Sequence, residues 1–199
     1  MYKTSIKITA IVVTFVLCQM SSFASSTSVA GLYPLANSGR VVYNFNDGWR
    51  FMLGDAAGAE TTRFDDSQWE MVCAPHTVRL EPADVSGCRN YQGPCWYRKK
   101  FVMPEDMLGK EVMVHFEAVM GKQWIYVNGK LVKQHLGGYL PITVNLSQEG
   151  VEVGDTCLIA LKADNSDDKT YPPGKKQTQL DFAYHGGMYR DVWLIGKSS

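Results

Sequence analysis

The stretch "QWIYVNGKLVKQH" (123–135) constrains the fold more than any other. Two strand-like runs flank Asn128-Gly129, a dipeptide that supplies the positive φ angles of a tight two-residue turn. A hairpin here commits the neighbouring chain to a sheet, and the remaining sequence agrees. "RVVYNF" (40–45), "WRFMLG" (49–54), "CWYRKKFVM" (95–103), "EVMVHFEAV" (111–119), "LPITVNL" (140–146), "TCLIALKA" (156–163) and "MYRDVWLI" (188–195) are short and rich in β-branched and aromatic residues. The 111–119 run alternates, placing Val112, Val114 and Phe116 on one face. Pro104 halts the run before it, since proline cannot continue a ladder. Helical periodicity is weak, and "EDMLGK" (105–110) offers a single turn. About eight short strands separated by turn chemistry predict an all-β sandwich. The most open loop is expected at "DNSDDKTYPPGKKQTQ" (164–179), where polar residues, Pro172-Pro173 and Gly174 exclude strand and helix.

The 199 residues are 45% hydrophobic, 12% aromatic and 20% charged, enough to bury a core without metals or many disulfides. Formal net charge is zero and no basic stripe occurs, which removes the electrostatic case for nucleic acid. A neutral, aromatic-rich chain suits neutral ligands such as sugars. The first residues stand apart. Lys3 and Lys7 precede an apolar run (8–18) too short for a comfortable membrane span, and Ser22 and Ala24 are small residues placed for cleavage. Residues 1–24 are therefore expected to be a secretory signal, and residues 25–42 a leader, with the protein periplasmic or secreted. A lipid anchor at Cys18 is the second reading, disfavoured because Leu17 stands where a small residue is wanted. Without residues 1–24 the chain carries 18 basic and 20 acidic groups, a net charge of −2.

Export leaves Cys73, Cys88, Cys95 and Cys157, an even number that permits disulfides. Cys88 and Cys95 flank a short loop, so a local bridge is open to them. Cys73 and Cys157 read as small buried hydrophobes. His76, His115, His135 and His185 lack metal-ligand spacing, and no C-x-x-C occurs, so no metal is expected. Among the acids, Asp65-Asp66, Glu105-Asp106 and Asp167-Asp168 read as solvated turn residues. Asp181 differs, because Phe182 and Tyr184 follow it at once. A carboxylate beside ring faces can accept hydroxyl hydrogen bonds while the rings stack on sugar C–H faces. The plainer reading is an Asx turn closing a loop. His185, beside Gly186-Gly187, is the strongest functional candidate of the four histidines, with a packed loop residue as its alternative.

Taken in order, the motifs resemble a known family. "FNDGWRFMLGD" (45–55), "FDDSQWEMVCAPHTV" (64–78), "GPCWYRKKF" (93–101), "VHFEAVMGKQWIYVNGKLVKQHLGGYLPITVNL" (114–146), "ALKADNSD" (160–167) and "DFAYHGGMYRDVWL" (181–194) are similar to the N-terminal sugar-binding domain of glycoside hydrolase family 2. This is the β-galactosidase and β-glucuronidase family, and the style of the motifs is closest to its Bacteroides-type members. The resemblance implies a jelly-roll β-sandwich over residues 43–199. It also implies a role for Asp181: in the family, an acid six residues before a glycine contacts the hydroxyls of the terminal sugar, and Gly187 follows Asp181 at that spacing. A second family contact, an asparagine just before the third-motif strand, falls near Gln92, where the residue type departs from the pattern. Trp49, Trp69 and Trp96 are expected in packing, Arg190 and Asp191 in pairing with neighbouring backbone or with each other, and Gly137, Gly138, Gly186 and Gly187 in tight turns.

In the family this domain precedes an immunoglobulin-like domain and a (β/α)8 barrel that bears both catalytic glutamates, one within an Asn-Glu pair. No Asn-Glu dipeptide occurs in this sequence. The resemblance thus implies a chain inactive alone, whose partners are a terminal β-linked sugar and those two domains, with no cofactor. The alternative is a free-standing carbohydrate-binding module.

Overall fold

A computed structural model describes residues 39–79, 91–180, 182 and 184–198. The expected signal at 1–24, the Cys18 anchor, most of the leader, Cys88 and Asp181 lie outside the described residues. In chain order the strands are β1 (Arg40–Asn44), β2 (Trp49–Leu53), β3 (Glu70–Val72), β4 (Pro94–Val102), β5 (Lys110–Phe116), β6 (Lys122–Val127), β7 (Lys130–Leu136), β8 (Ile142–Asn145), β9 (Thr156–Asp164) and β10 (Val192–Ser198). They form two antiparallel sheets, one ordered β1-β10-β5-β8 and the other β3-β2-β4-β9-β6-β7. The β6–β7 hairpin turns at Asn128 and Gly129, with φ of 49° and 89°, as the sequence predicts. A single 3-10 turn at Glu105–Met107 fills the place of the predicted one.

Among the described residues ten strands are present, where about eight were expected. The one that no quoted run announced is β3, three residues long and without an alternation. The last strand starts at Val192 rather than Met188. Residues 186–188 instead pass beneath the loop of His76 and Val78, whose N–H groups donate to the carbonyls of Met188 and Gly186 at 2.7 and 3.1 Å.

The main core lies between the sheets. Trp49, Tyr97, Val114, Phe116, Ile125, Leu161 and Val192 are all fully enclosed there. Alternation on β5 buries Val112, Val114 and Phe116, as read from the sequence. On β4 alternation fails, because its outward face is also covered. The loop 54–69 folds over that face and makes a second cluster from Ala59, Trp96 and Ala160, with Phe64, Trp69 and Tyr126 against it. Apolar side chains are buried on both faces of β4 and β9, aromatic rings of β4 among them, and both clusters add apolar stabilisation to this half of the molecule.

Several polar residues read as solvated are engaged across the fold. Arg98, 3% exposed, donates from Nε to Asp66 at 2.7 Å and from Nη1 to the carbonyls of Thr61 and Ala59. Asp106 accepts a short hydrogen bond from Tyr43. Each partner lies far away in sequence, which a local reading of acid pairs does not reveal. The cysteine expectations also change. Cys95 is a free, buried thiol facing the core, so the local bridge to Cys88 is not made. Cys157 is buried as expected, but Cys73 is exposed. Burial pushes the Cys95 thiol well above its ordinary value and the Cys157 thiol up to about 12.

Candidate functional site

The site is built at one end of the sandwich, where the segment before β4 meets the long loop after β9. Asn165 joins them. It is 3% exposed, its Nδ2 donates to the Tyr91 carbonyl at 2.7 Å, and its Oδ1 accepts the Gly93 N–H at 3.0 Å. Two residues on, Asp167 gathers the loop. Its Oδ1 accepts Gln92 Nε2 at 2.7 Å and the Gln177 N–H at 2.9 Å, while Gln92 Nε2 also reaches Tyr184 Oη at 3.0 Å. Burial raises the Asp167 carboxyl, but donation from Gln92, Gln177 and Tyr184 outweighs it and leaves the group below its ordinary value. Asp168 is held far below the carboxylate range by Lys122, 2.6 Å away, and by Thr170. The pair Asp167-Asp168, read from sequence as solvated, is thus the fastening of the loop. Buried Tyr171 and Gln177 show that the stretch 164–179 is packed rather than open.

The returning segment passes under this network through glycines that admit no side chain. A Cβ on Gly186 would lie 2.6 Å from Asn165 Nδ2, and one on Gly187 would lie 2.3 Å from Tyr97 Oη. Gly187 also has φ of 93°, a left-handed conformation that only glycine adopts without strain. The sequence places these glycines in tight turns; in the fold they also let two segments pack closely.

Above the glycines opens a cavity of about 260 Å³ lined by Met120, Tyr139, Phe182, Tyr184, His185 and Tyr189. Its wall is aromatic, and its mouth is apolar, with Tyr139, Leu140 and Phe182 exposed. Tyr189 donates a short hydrogen bond to the Gly138 carbonyl, which fixes its ring. Burial raises the phenols of Tyr184 and Tyr189, so both stay protonated near neutral pH and keep a hydroxyl that donates and accepts. Ring faces with hydroxyls at their edges match a sugar, whose C–H faces are apolar and whose rim is polar. Among the described residues, no group of three His, Cys, Asp or Glu is placed to hold a metal ion.

Of the residues singled out from sequence, His185 lines the cavity and is exposed. Gln92 stands behind Tyr184, with its amide nitrogen engaged by the loop network. Asp181 lies outside the described residues, between Leu180 and Phe182. His76 belongs elsewhere: its Nδ1 bonds Tyr97 Oη at 2.9 Å, and burial lowers its pKa. Arg190 does not pair with Asp191. It lies over the Tyr189 ring, whereas Asp191 accepts from Asn46 Nδ2 at 2.7 Å. Sequence reasoning missed Asp167, Asn165, Tyr139 and Tyr189. A polar run directly after a buried strand was the available signal for the first two. For Tyr139 and Tyr189, only the return of distant segments to one place defines the site.

An antiparallel two-sheet sandwich that carries a concave aromatic site on the loops at one end defines a ligand-binding jelly-roll module. Comparison with known proteins names the family. The model of the glycosyl hydrolases family 2 sugar binding domain matches residues 44–198, and the chain belongs to this family. A β-galactosidase of Thermoanaerobacter pseudethanolicus is 37% identical over 157 residues, covering 78% of this chain and 21% of that protein. A β-glucuronidase of Formosa agariphila is 30% identical over 174 residues, covering 80% of this chain and 17% of that protein. Among solved structures, Bacteroides uniformis β-glucuronidase 2, covalently bound to cyclophellitol-6-carboxylate aziridine, superposes with a TM-score of 0.68 at 31% identity. That superposition covers 79% of this chain and 18% of that one. The chain thus spans about a fifth of the length of the relatives it matches.

Proposed function

We propose that this sugar-binding domain serves an exported β-glycosidase, and that its loop end completes the subsite for the terminal sugar. The carrying observation is the aromatic cavity lined by Phe182, Tyr184, His185 and Tyr189, residues that follow Asp181 in the sequence, and bordered by the Asp167 network. In this reading Asp181 accepts hydrogen bonds from the sugar hydroxyls, His185 contacts the same ring, and Gln92 holds Tyr184 and Asp167 in place. Hydrogen bonds to sugar hydroxyls that strengthen in the transition state raise turnover rather than mere affinity. The bond-breaking carboxylates belong to further domains of a longer polypeptide. Exposed Leu136, Tyr139, Leu140 and Phe182 support that arrangement, since so many large apolar side chains at one end suit a surface that other domains cover. The signal-like residues 1–24 support export.

The test is a pair of measurements. In a full-length parent enzyme, Asp181→Ala is expected to lower kcat/KM by about a hundredfold or more with an unchanged melting transition. Turnover close to the parent value contradicts the assignment. Calorimetry of the isolated chain with β-galactosides and β-glucuronides is expected to show millimolar or weaker binding, as befits half a site. Much tighter binding points to a module that works alone.

A further inference from the structure

One buried amide holds the cavity together from behind. Gln123, on β6, is 1% exposed and lines no part of the cavity. Its Nε2, with two N–H donors, is shared among the carbonyls of Val119 at 2.6 Å, Gly121 at 2.8 Å and Gly137 at 2.8 Å. The reverse orientation would aim Oε1 at three carbonyl oxygens, so the surroundings dictate which side faces them. Oε1 itself has no partner among the described residues, so this side chain is given over to the three carbonyls.

Each segment it gathers forms a wall. Val119 and Gly121 bracket Met120, whose N–H donates to the Gly187 carbonyl at 3.1 Å. Gly137 leads into Gly138 and Tyr139, and its N–H donates to the Gly121 carbonyl at 2.9 Å. The fit leaves no slack: a Cβ on Gly121 would lie 2.0 Å from the Asp164 carbonyl oxygen, and one on Gly138 would lie 2.4 Å from Met120 Sδ. Gly138 in turn receives the Tyr189 hydroxyl. Three of the six cavity residues, Met120, Tyr139 and Tyr189, therefore take their places from turns that converge on Gln123.

We propose that Gln123 is a positioning residue that sets the ligand affinity of the cavity without touching ligand. The proposal rests on the reading of the cavity as a sugar site. Replacement by leucine keeps the bulk and removes both donors. Replacement by glutamate makes the role titratable. An ionised carboxylate would face three carbonyls, whereas its protonated form regains one donor. Burial raises that carboxyl above the ordinary value of about 4.3, so donor capacity returns as pH falls through the raised pKa. Opposite this position on β7 stands His135, whose own pKa burial lowers, with Lys133 two residues before it on that strand; Lys122 precedes Gln123 on β6 and pairs with Asp164 of β9. The unsubstituted chain titrated over the same range separates their contribution.

The experiment is an NMR titration of the purified chain with methyl β-D-galactopyranoside and, separately, methyl β-D-glucuronide, reading the Met120 methyl and the Tyr139 and Tyr189 ring signals. Gln123→Leu is expected to weaken binding about tenfold. It should shift or broaden those three signals while the Trp49 indole signal of the main core stays in place. Gln123→Glu is expected to do the same at neutral pH and to recover at acidic pH. Wild-type affinity with unmoved Met120 and Tyr139 signals in both variants overturns the proposal, as does a Gln123→Glu variant that binds equally at every pH. Should the leucine variant fail to fold, Gln123→Asn, one methylene shorter, is read in the same way. If neither glycoside binds the unsubstituted chain measurably, the three signals alone decide: moved in Gln123→Leu they support the positioning role, unmoved in both variants they overturn it, while the sugar reading is tested separately by Asp181→Ala in the longer enzyme.

Discussion

The loop between β2 and β3 and the loop between β9 and β10 are both long, polar and rich in aromatic residues, yet they end in opposite conditions. The first is closed. Arg98 reaches up from β4 to bind its carbonyls and Asp66, and Phe64 and Trp69 lie edge to face with ring centroids 5.3 Å apart. The second is fastened as firmly, through Asn165 and Asp167, but its aromatic side chains line part of a concavity instead of packing on one another, and Phe182 remains exposed. A loop whose rings satisfy one another is part of the scaffold. A loop that is rigid underneath and unsatisfied on top is prepared for something else.

The comparison breaks most sharply at Arg98. Arg98→Ala removes one partner of a nearly buried ion pair together with the donors to the first loop. Denaturant unfolding is expected to show a loss of about 3 to 5 kcal/mol, with glycoside affinity per folded molecule unchanged. A loss under about 1 kcal/mol means that this loop is not scaffold. In the second loop, Gly187→Ala forces a left-handed alanine against Tyr97 Oη. Its expected cost is about 2 to 4 kcal/mol, and unlike Arg98→Ala it should also weaken sugar binding.

A smaller effect comes from Lys99, which belongs to neither loop and serves as a reference within the common core. Its ammonium is buried, donates to the carbonyls of Phe45 and Asp47 at 2.9 and 2.7 Å, and lies 3.6 Å from the Phe45 ring centroid. Burial lowers its pKa to about 7. Between that value and the ordinary one near 10.4, the unfolded chain binds the extra proton and the folded chain does not, so stability rises with pH. Relative to Lys99→Met, wild-type stability from pH 7 to about 8.5 should rise by up to ~1.4 kcal/mol per unit. The thiols with raised pKa values, Cys73, Cys95 and Cys157, pull the other way toward the top of that range and the phenols above it, in both proteins. A wild-type curve parallel to that of Lys99→Met from pH 7 to 8.5 removes this account of Lys99.

The smallest effect on stability, and the most telling for function, belongs to Tyr139. It is 52% exposed, so Tyr139→Ala should change unfolding free energy by no more than about 0.5 kcal/mol. Glycoside binding should nevertheless weaken several-fold, as read by the same titration. An unchanged affinity separates the cavity from the sugar.

Much of this was legible in the sequence. Asn128-Gly129 marked its hairpin, alternation on β5 marked the core face, and Pro104 marked the end of β4. What escaped shares a physical cause. β3 is too short to show a period. Asp66, Asp106, Asp167 and Asp168 look alike as acids in turns, and only the arrival of Arg98, Tyr43, Gln92 and Lys122 from elsewhere tells them apart. Likewise the spacing around Asp181 and His185 marked the neighbourhood of the site, whereas its walls, Met120 and Tyr139, come from turns more than forty residues upstream.

The most direct measurement is a crystal structure of the chain, or of a longer parent enzyme, with a β-glycoside or a sugar-shaped inhibitor bound. The account predicts the terminal sugar in contact with His185 and at least one of Tyr139, Phe182 and Tyr189, with the side chain at position 181 on its hydroxyls. A sugar bound on another face of the sandwich, or position 181 turned into the core away from the ligand, would contradict it.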